Sequence, residues 1–305
     1  MKQFQRPIKC DMKNLKFIGV LLFGILVSLI TMQCTNNTQS KKNEYKILFL
    51  HHSTGDVIWK GGSKSVEIKG IHVGSKYDVP KWFEKYNRKN GTEYLITKQE
   101  FPHEKPYGWR NYPFDYYNIW VKHAGVISFM GEPTLEMLSK EYNMIIFKHC
   151  FPVTDIISDT NNIDIDSPQK TMENYKLQYI ALKKKMLQFP EIKFLIWTGA
   201  ARVQSQSTIA NATVAKAFFE WVKSTWDTEG DNIFIWDFYE LETEGELFLK
   251  DKYASAANNS HPNIDFAQKV APYFCQRITD VIENNGTKTT LTGIYKKNKE
   301  FGQKQ

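Results

Sequence analysis

The sequence predicts an α/β protein, a three-layer α/β/α sandwich around a central, mostly parallel sheet of five strands. Short apolar runs alternate along the chain with longer segments of helical periodicity, which is typical of a parallel sheet covered by helices on both faces. The runs are nearly continuous and rich in β-branched or aromatic residues, as expected of strands that are buried on both sides. They span residues 47–50, 94–96, 144–147, 194–197 and 233–236.

The amino-terminal segment that precedes this pattern has the composition of an export signal. Five basic residues are followed by an uncharged run over residues 17–32, which ends at Gln33-Cys34. The run is short for a membrane-spanning helix, which needs about 20 residues. We therefore predict a lipoprotein-type bacterial signal peptide over residues 1–33, lipidation of Cys34 and a tether over residues 34–43. An uncleaved amino-terminal anchor is the alternative, and both place the domain outside the cytoplasm, in the periplasm or at the outer membrane.

The mature chain that this cleavage would leave is long enough for one well-buried domain, which we place at residues 44–284. Loss of five basic residues and one acidic residue lowers the formal net charge from +7 to +3, so the charge gives no reason to expect a nucleic-acid partner. Residues 285–305 are polar and are expected to form a frayed tail. Cys150 and Cys275 are expected to be buried thiols, although an oxidising compartment would also allow them to pair.

Three apolar stripes predict helices that cover the sheet. Apolar residues recur at helical spacing over residues 172–186, 214–222 and 266–278, and such stripes face a core. A further segment, residues 101–120, is irregular and rich in aromatic residues and proline. It is either a loop that packs its own aromatic rings against the domain or a binding wall beside the site. In the second case Trp109, Tyr112 and Tyr116 would contact substrate.

Reactive side chains follow the predicted strands at their carboxyl ends, where ligands bind in open parallel sheets. Two histidines and Ser53 follow the first strand, Asp237 follows the last, and His261 precedes the last helix. A serine hydroxyl becomes nucleophilic when an adjacent base takes its proton, and its own N–H can stabilise an oxyanion. This inventory predicts a nucleophile, a base and an orienting acid, although Ser53 taken alone also fits a helix cap.

The order of these elements and motifs resembles the SGNH, or GDSL-like, hydrolase superfamily, over about residues 45–282. Ser53 within HHSTG matches the family's nucleophile after strand one, and His261, followed by Pro262-Asn263, matches its histidine before the final helix. Gly131 in GEPTLEML matches the glycine that donates to the oxyanion hole. The resemblance implies a flavodoxin-like fold and a serine esterase acting on a small-molecule or glycan ester, such as an acyl (acetyl) group on a carbohydrate.

Two positions depart from the family's pattern. FKHCFP stands where the family has the asparagine of its third block, so His149 or a backbone N–H would have to replace that oxyanion donor. Asn258 stands where the family has the aspartate that orients the histidine. An asparagine can still orient an imidazole but stabilises its charged form less, and Asp237 is the alternative partner of His261.

Two other functions fit parts of the sequence. A non-catalytic protein that binds a glycan or peptide on the same fold is supported by the two departures. A zinc site built from His51, His52 and His149 could activate water, but no spaced pair such as His-Glu-x-x-His accompanies them. We therefore expect neither a metal nor another cofactor. The oligomeric state is not predicted.

Replacement of Cys34 tests the lipoprotein prediction. We expect Cys34→Ser to release the protein from membranes or to block its maturation, because stable attachment needs two or more acyl chains and a lipoprotein cysteine supplies them. Membrane fractionation and intact-mass measurement of the amino end check this, with Cys150→Ser as the matched control. Full membrane retention of Cys34→Ser with an uncleaved amino end would favour the uncleaved anchor.

Overall fold

The computed structural model describes residues 44–63, 67–68, 71–72, 77–107, 110–158 and 162–297. The predicted signal peptide, the tether and Cys34 lie outside the described residues. Five strands form the central sheet: β1 (Tyr45–His51), β4 (Tyr94–Glu100), β5 (Met144–Lys148), β6 (Lys193–Trp197) and β7 (Ile233–Trp236). They lie in the order β4-β1-β5-β6-β7 and are all parallel. Two short antiparallel pairs are β2 (Glu67–Ile68) with β3 (Ile71–His72), and β8 (Ala254–Ala256) with β9 (Asn259–Pro262).

The helices begin where the sequence offers caps. Side chains of Thr171, Thr208 and Asn263 each accept a hydrogen bond from a backbone N–H three residues on, which satisfies a donor that the first helical turn leaves free. No helix within the described residues is both long and apolar enough to cross a membrane. The helices are α1 (Ser53–Lys60), α2 (Asp78–Asn90), α3 (Pro113–Tyr117), α4 (Leu135–Leu138), α5 (Met172–Met186), α6 (Ile209–Trp221), α7 (Phe238–Thr243) and α8 (Ile264–Asn284).

The sheet separates two apolar cores, which confirms the predicted α/β/α sandwich. Alternate residues of β1 point to opposite faces, so Leu48 and Leu50 enter one core while Ile47 and Phe49 enter the other. The first core is closed by α3, α5 and α6, and the second by α1, α2 and α8. The three predicted stripes supply the buried faces of α5, α6 and α8, and both cysteines are buried free thiols.

The predicted frayed tail is wrong for residues 285–297, which pack back onto the domain. Thr289 is buried and donates from its N–H and its hydroxyl to the Asp280 carboxylate, at 2.7 and 2.6 Å. The guanidinium of Arg277 donates to the carbonyl of Gly286 and to the Thr289 hydroxyl, at 2.8 and 3.1 Å. The physical reason is that α8 buries Arg277 and Asp280, and buried charged groups need hydrogen-bond partners. The polar composition of residues 285–297 does not show that Arg277 and Asp280 need them as hydrogen-bond partners.

Truncation tests this role of the carboxyl-terminal segment. A chain that ends at Asn284 should lose about 3 kcal/mol or more of unfolding free energy, because Asp280 and Arg277 lose the charge-assisted hydrogen bonds that Gly286 and Thr289 form with them. Chemical denaturation measures the difference, and a chain that ends at Lys297 is the control, which should match the full chain. Equal stability of the two truncated chains would contradict a structural role for residues 285–297.

Candidate active site

The turn between β1 and α1 is tight because helix and strand nearly touch. A Cβ atom on Gly55 would lie 2.5 Å from the Cβ of His51 and 3.0 Å from the Phe49 ring, so no side chain fits there. Glycine at this position lets α1 begin directly after β1. Ser53 is consequently the first residue of the helix, at the carboxyl edge of the sheet.

The two histidines of this turn serve its structure. The His51 ring stacks on Phe49 with 4.8 Å between ring centroids, and its Nδ1–H donates to the carbonyl of His52 at 2.8 Å. The His52 Nε2–H donates to the carbonyl of Pro102 at 2.7 Å, which ties the turn to the segment after β4. Burial lowers the pKa of both rings, to about 3 for His51, so both are neutral at pH 7.

Ser53 presents an uncommitted hydroxyl. Its side chain is exposed, and it forms no hydrogen bond with any of the described residues. His52 occupies the N-cap position of α1, and no side chain caps that helix. The positive end of the helix dipole lies at Ser53, where it favours negative charge. A free hydroxyl beside a positive helix end can act as a nucleophile if a base is near.

His261 is a neutral imidazole whose tautomer is fixed by its surroundings. The side-chain oxygen of Asn259 accepts from the backbone N–H of His261 at 3.1 Å and lies 2.7 Å from Nδ1 of its ring. Since a backbone N–H only donates, the Asn259 atom between them must be the acceptor oxygen, and Nδ1 must carry its hydrogen. Nε2 then holds a lone pair that can take a proton. Burial, and next the positive charge of Lys148, lower the pKa of this half-buried ring.

The partner of His261 differs from both predicted ones. Asp237 is buried and committed elsewhere: it accepts from the Thr198 hydroxyl at 2.6 Å and pairs with Lys223 at 2.8 Å. Asn258 is exposed, and its carbonyl accepts from the Gln206 amide at 2.6 Å. Asn259 orients the ring because an Asn side chain readily bonds the backbone two residues on. The sequence Asn259-Ser260-His261 has the spacing for this bond, although Asn259 was not among the predicted partners of His261.

Ser53 and His261 lie on neighbouring elements at one edge of the sheet. Helix α1, which starts at Ser53, packs against strand β9, which carries His261. The His261 ring also meets the ring of Phe151, just beyond β5, edge to face at 5.1 Å. Among the described residues no hydrogen bond joins Ser53 to His261, and the predicted contact of 2.6–3.2 Å stays a prediction. Catalytic hydrogen bonds often shorten only when substrate binds.

Gly131 lies in a tight turn and not at the start of a helix, where it was predicted. Phe129 and Glu132 exchange backbone hydrogen bonds of 3.0 and 2.9 Å across a two-residue turn. Met130 and Gly131 have φ values of +52° and +82°, as a type I′ turn requires at both central positions. The positive φ value that this turn requires is therefore a sufficient reason for a glycine at position 131. Donation by its N–H to an oxyanion stays a prediction.

His149 is a core residue, so its predicted oxyanion role is wrong. The ring is fully buried and meets the rings of Tyr116 and Tyr179 at 4.9 and 5.6 Å, in the core opposite to the one that holds His51. Neither ring nitrogen has a hydrogen-bond partner among the described residues. Burial lowers its pKa to about 3. The three histidines of the zinc alternative therefore do not converge, and no group of metal-ligating side chains forms within the described part of the chain.

Two of the three predicted substrate-contacting aromatic residues are buried. Tyr116 is fully buried, and its hydroxyl donates to the carbonyl of Lys148 at 3.3 Å. Tyr112 is buried and donates to the carbonyl of Pro168 at 3.2 Å. The prediction that they line an open wall is wrong, because aromatic packing and satisfied hydroxyls hold both rings in the core. Trp109 lies outside the described residues.

No family model matches this chain, and no relative is found among curated proteins. An active-site mutant of a family two carbohydrate esterase from Clostridium thermocellum is similar in structure, with a TM-score of 0.37 and 11% identity over 80% of this chain and 65% of that chain. The acetyl xylan esterase of the rumen bacterium Butyrivibrio proteoclasticus gives a TM-score of 0.35 and 12% identity, over 78% and 64%. This chain spans less than two thirds of either protein, and a likeness of this degree carries no functional argument.

A methyl group at Gly55 tests the turn that positions Ser53. Gly55→Ala should lower the unfolding free energy by about 1–3 kcal/mol, because its Cβ overlaps the Cβ of His51, which is fixed to the strand. Thermal and chemical denaturation check this. Gly62→Ala is the matched control, since the three atoms nearest to its Cβ would all belong to the flexible side chain of Gln268, which can move. If Gly55→Ala is as stable as Gly62→Ala, the contact between α1 and β1 leaves room for a side chain at Gly55.

Proposed function

We propose that this protein is a serine ester hydrolase in which Ser53 is the nucleophile and His261 the general base. The observation that carries the proposal is the tautomer and position of His261. Its Nε2 holds a lone pair. The strand that carries His261, β9, packs against α1, the helix that begins with Ser53. The exposed, uncommitted hydroxyl of Ser53 supports it. These are the parts that nucleophilic acyl transfer needs.

In the proposed reaction the Ser53 oxygen attacks the acyl carbonyl while Nε2 of His261 takes its proton. The oxyanion that forms is stabilised by the Ser53 N–H and by the positive end of α1. His261 then gives the proton to the leaving alcohol, and the acyl group remains on Ser53. Water, activated by the same nitrogen, releases the acid and restores the serine. Asn259 holds the ring in place throughout, but its neutral amide stabilises the imidazolium less than a carboxylate does.

The substrate class follows from the motifs, since Ser53 and His261 resemble their SGNH counterparts. We propose an acyl ester, such as an acetyl group on a carbohydrate, cleaved in the bacterial envelope by a domain that the lipid on Cys34 anchors. A non-catalytic glycan- or peptide-binding protein is the second candidate. The neutral partner of His261 and the missing hydrogen bond between Ser53 and His261 favour that candidate.

The pH dependence of this reaction follows from the lowered pKa of His261. The base must be unprotonated, so kcat/KM rises as the pH rises through the His261 pKa and is then constant. Because burial lowers the His261 pKa below the ordinary value of about 6.5, kcat/KM measured as a function of pH should be near its plateau at pH 7 and fall only in acid.

Adjacent asparagines provide a matched test of the site. Ser53→Ala should abolish hydrolysis of short-chain acyl esters and acetylated glycans. Asn259→Ala should lower kcat by about tenfold to a hundredfold, a part of what general base catalysis contributes, because the ring loses its orienting acceptor. Asn258→Ala and Asp237→Asn should change kcat little, since neither side chain bonds His261.

The outcomes separate the two candidate functions. Full activity of Ser53→Ala would exclude the serine mechanism. Equal loss in Asn258→Ala and Asn259→Ala would contradict the assigned role of Asn259. An intact protein that hydrolyses no ester, yet binds a glycan or peptide equally well with and without Ser53, would identify the binding protein.

A further inference from the structure

A cleft of about 560 Å³ lies at the amino edge of the sheet, opposite to the edge that carries Ser53 and His261. It opens between the loop of residues 227–231, which leads into β7, and the carboxyl-terminal segment at residues 285–296. Clefts of roughly 300–1,000 Å³ that combine apolar walls with a few convergent polar groups are typical of small-molecule sites. The reaction proposed above uses no residue of this cleft.

The guanidinium of Arg277 forms one polar wall of the cleft. Its side chain is only 5% exposed, and two of its three nitrogens are committed. Nε donates to the Ile235 carbonyl at 2.9 Å, and Nη1 donates to the Gly286 carbonyl and the Thr289 hydroxyl at 2.8 and 3.1 Å. Nη2 has no hydrogen-bond partner in the described part of the chain, yet it keeps some contact with solvent. A guanidinium is always charged and only donates, so Nη2 offers an unused donor.

Asp227 presents an unused acceptor to the same cleft. Its side chain is partly buried, and its carboxylate has no hydrogen bond or ion pair with any of the described residues. Burial is the largest cause that raises its pKa, to about 6, as expected of a carboxyl group that loses water without gaining a donor. The nearby Asp231 differs, since it pairs with Lys183 at 3.1 Å and accepts from the Ile233 N–H at 2.8 Å.

Asp227 and Arg277 act on each other without touching. The charge of each is one cause of the other's pKa shift. Among the described residues they nevertheless form no ion pair, and the carboxylate nearest to the guanidinium is that of Asp280, at 3.6 Å from Nη1. The cleft therefore holds a free acceptor and a free donor that are close in space but leave room between them.

An apolar wall completes the cleft. It is formed by the partly buried side chains of Phe234 and Leu291, and the Lys193 ammonium lies over the Phe234 ring at 5.2 Å. A saccharide offers what this combination lacks. One hydroxyl can donate to a carboxylate while its neighbour accepts from a guanidinium, and the C–H groups of the sugar ring pack on apolar side chains. Two opposite charges side by side also favour a neutral ligand over a charged one.

We propose that this cleft is a saccharide-binding site separate from the candidate active site, in which Asp227 and Arg277 bind two adjacent hydroxyl groups. The Asp227 carboxylate accepts from one hydroxyl, and Nη2 of Arg277 donates to the oxygen of the other. Phe234 packs against the C–H groups of the ring. The inference does not rest on the proposed function, because none of these residues takes part in ester hydrolysis.

NMR of the full-length protein tests the site with glucose and xylose as probes. The backbone amide signals of Gly230 and Gly286, two glycines that line the cleft, report binding at this place. We expect saturable shifts with a Kd of about 1–10 mM, the range of ligands with about a dozen heavy atoms. Cyclohexanol is the control ligand, since it has a six-membered ring but a single hydroxyl group, and it should cause no saturable shift.

Variants of the two polar residues test their assigned contacts. Asp227→Ala should weaken binding of both sugars about tenfold, because it removes a charge-assisted hydrogen bond, and Asp227→Asn should weaken it less. Neither should lower the melting temperature, since no other group of the described chain bonds this carboxylate. Arg277→Lys should also weaken binding, and its fold is checked by denaturation because Gly286 and Thr289 bond Arg277. Glu229→Gln is the matched control, an exposed acid of the same loop, and should bind both sugars as the wild type does.

The contrary results are definite. Absence of saturable shifts at Gly230 and Gly286 with both sugars overturns the proposal. Equal binding of cyclohexanol, or equal loss in Glu229→Gln and Asp227→Ala, overturns the assigned contacts. A lower melting temperature of Asp227→Asn would make Asp227 a structural residue. Activity of Ser53→Ala decides only the proposed function and leaves this site untouched, because the two sites lie at opposite edges of the sheet.

Discussion

Helix α1 crosses strand β1 so closely that Gly55 can carry no side chain, and the arrangement of the site depends on this contact. With the helix held against His51, the chain turns from strand to helix within one residue, and Ser53 becomes the first helical residue. The same approach brings α1 beside β9. If α1 lay farther from β1, Ser53 would lie farther from β9, the strand that carries His261.

The polar groups buried at this edge follow one electrostatic rule, because a charge taken out of water must be paired or lost. Burial lowers the pKa of His51 and His149 to about 3, so both rings are neutral, and it raises the pKa of Glu242 well above its ordinary value. Asp237 forms an ion pair with Lys223 at 2.8 Å. Lys148 is the exception, a buried lysine whose hydrogen bond goes to a thiol.

The pairing of His261 with an amide bears on how strong a catalyst the protein can be. Asn259 fixes the ring and its tautomer as a carboxylate would, so the geometry of a general base is present. It supplies no negative charge, however, and the imidazolium that forms in the reaction is less favoured for that reason. A neutral partner of this kind favours a weaker base.

The sequence predicted the five central strands, the layers and three of the covering helices, because apolar periodicity is a local property and each stripe can bury only one way. It did not predict α2. It also determined that Ser53 stands at the end of the first strand, since Gly55 and the apolar run are adjacent to it. Which residues meet was decided by the tertiary structure. Asn259 rather than Asp237 forms a hydrogen bond with His261. Asp237 binds Thr198 and Lys223 instead, and these three residues come together only when β6, β7 and α6 have packed.

The same reason explains the remaining differences. His149 faces the aromatic core and not the site, since the pleat of β5 and the packing of Tyr116 and Tyr179 set its direction. The polar residues after Asn284 are ordered by Arg277, which α8 buries about ten positions earlier in the chain. A polar segment is predicted to be exposed from its composition. A buried charged side chain can nevertheless bind such a segment, and only the folded structure shows which charged side chains are buried.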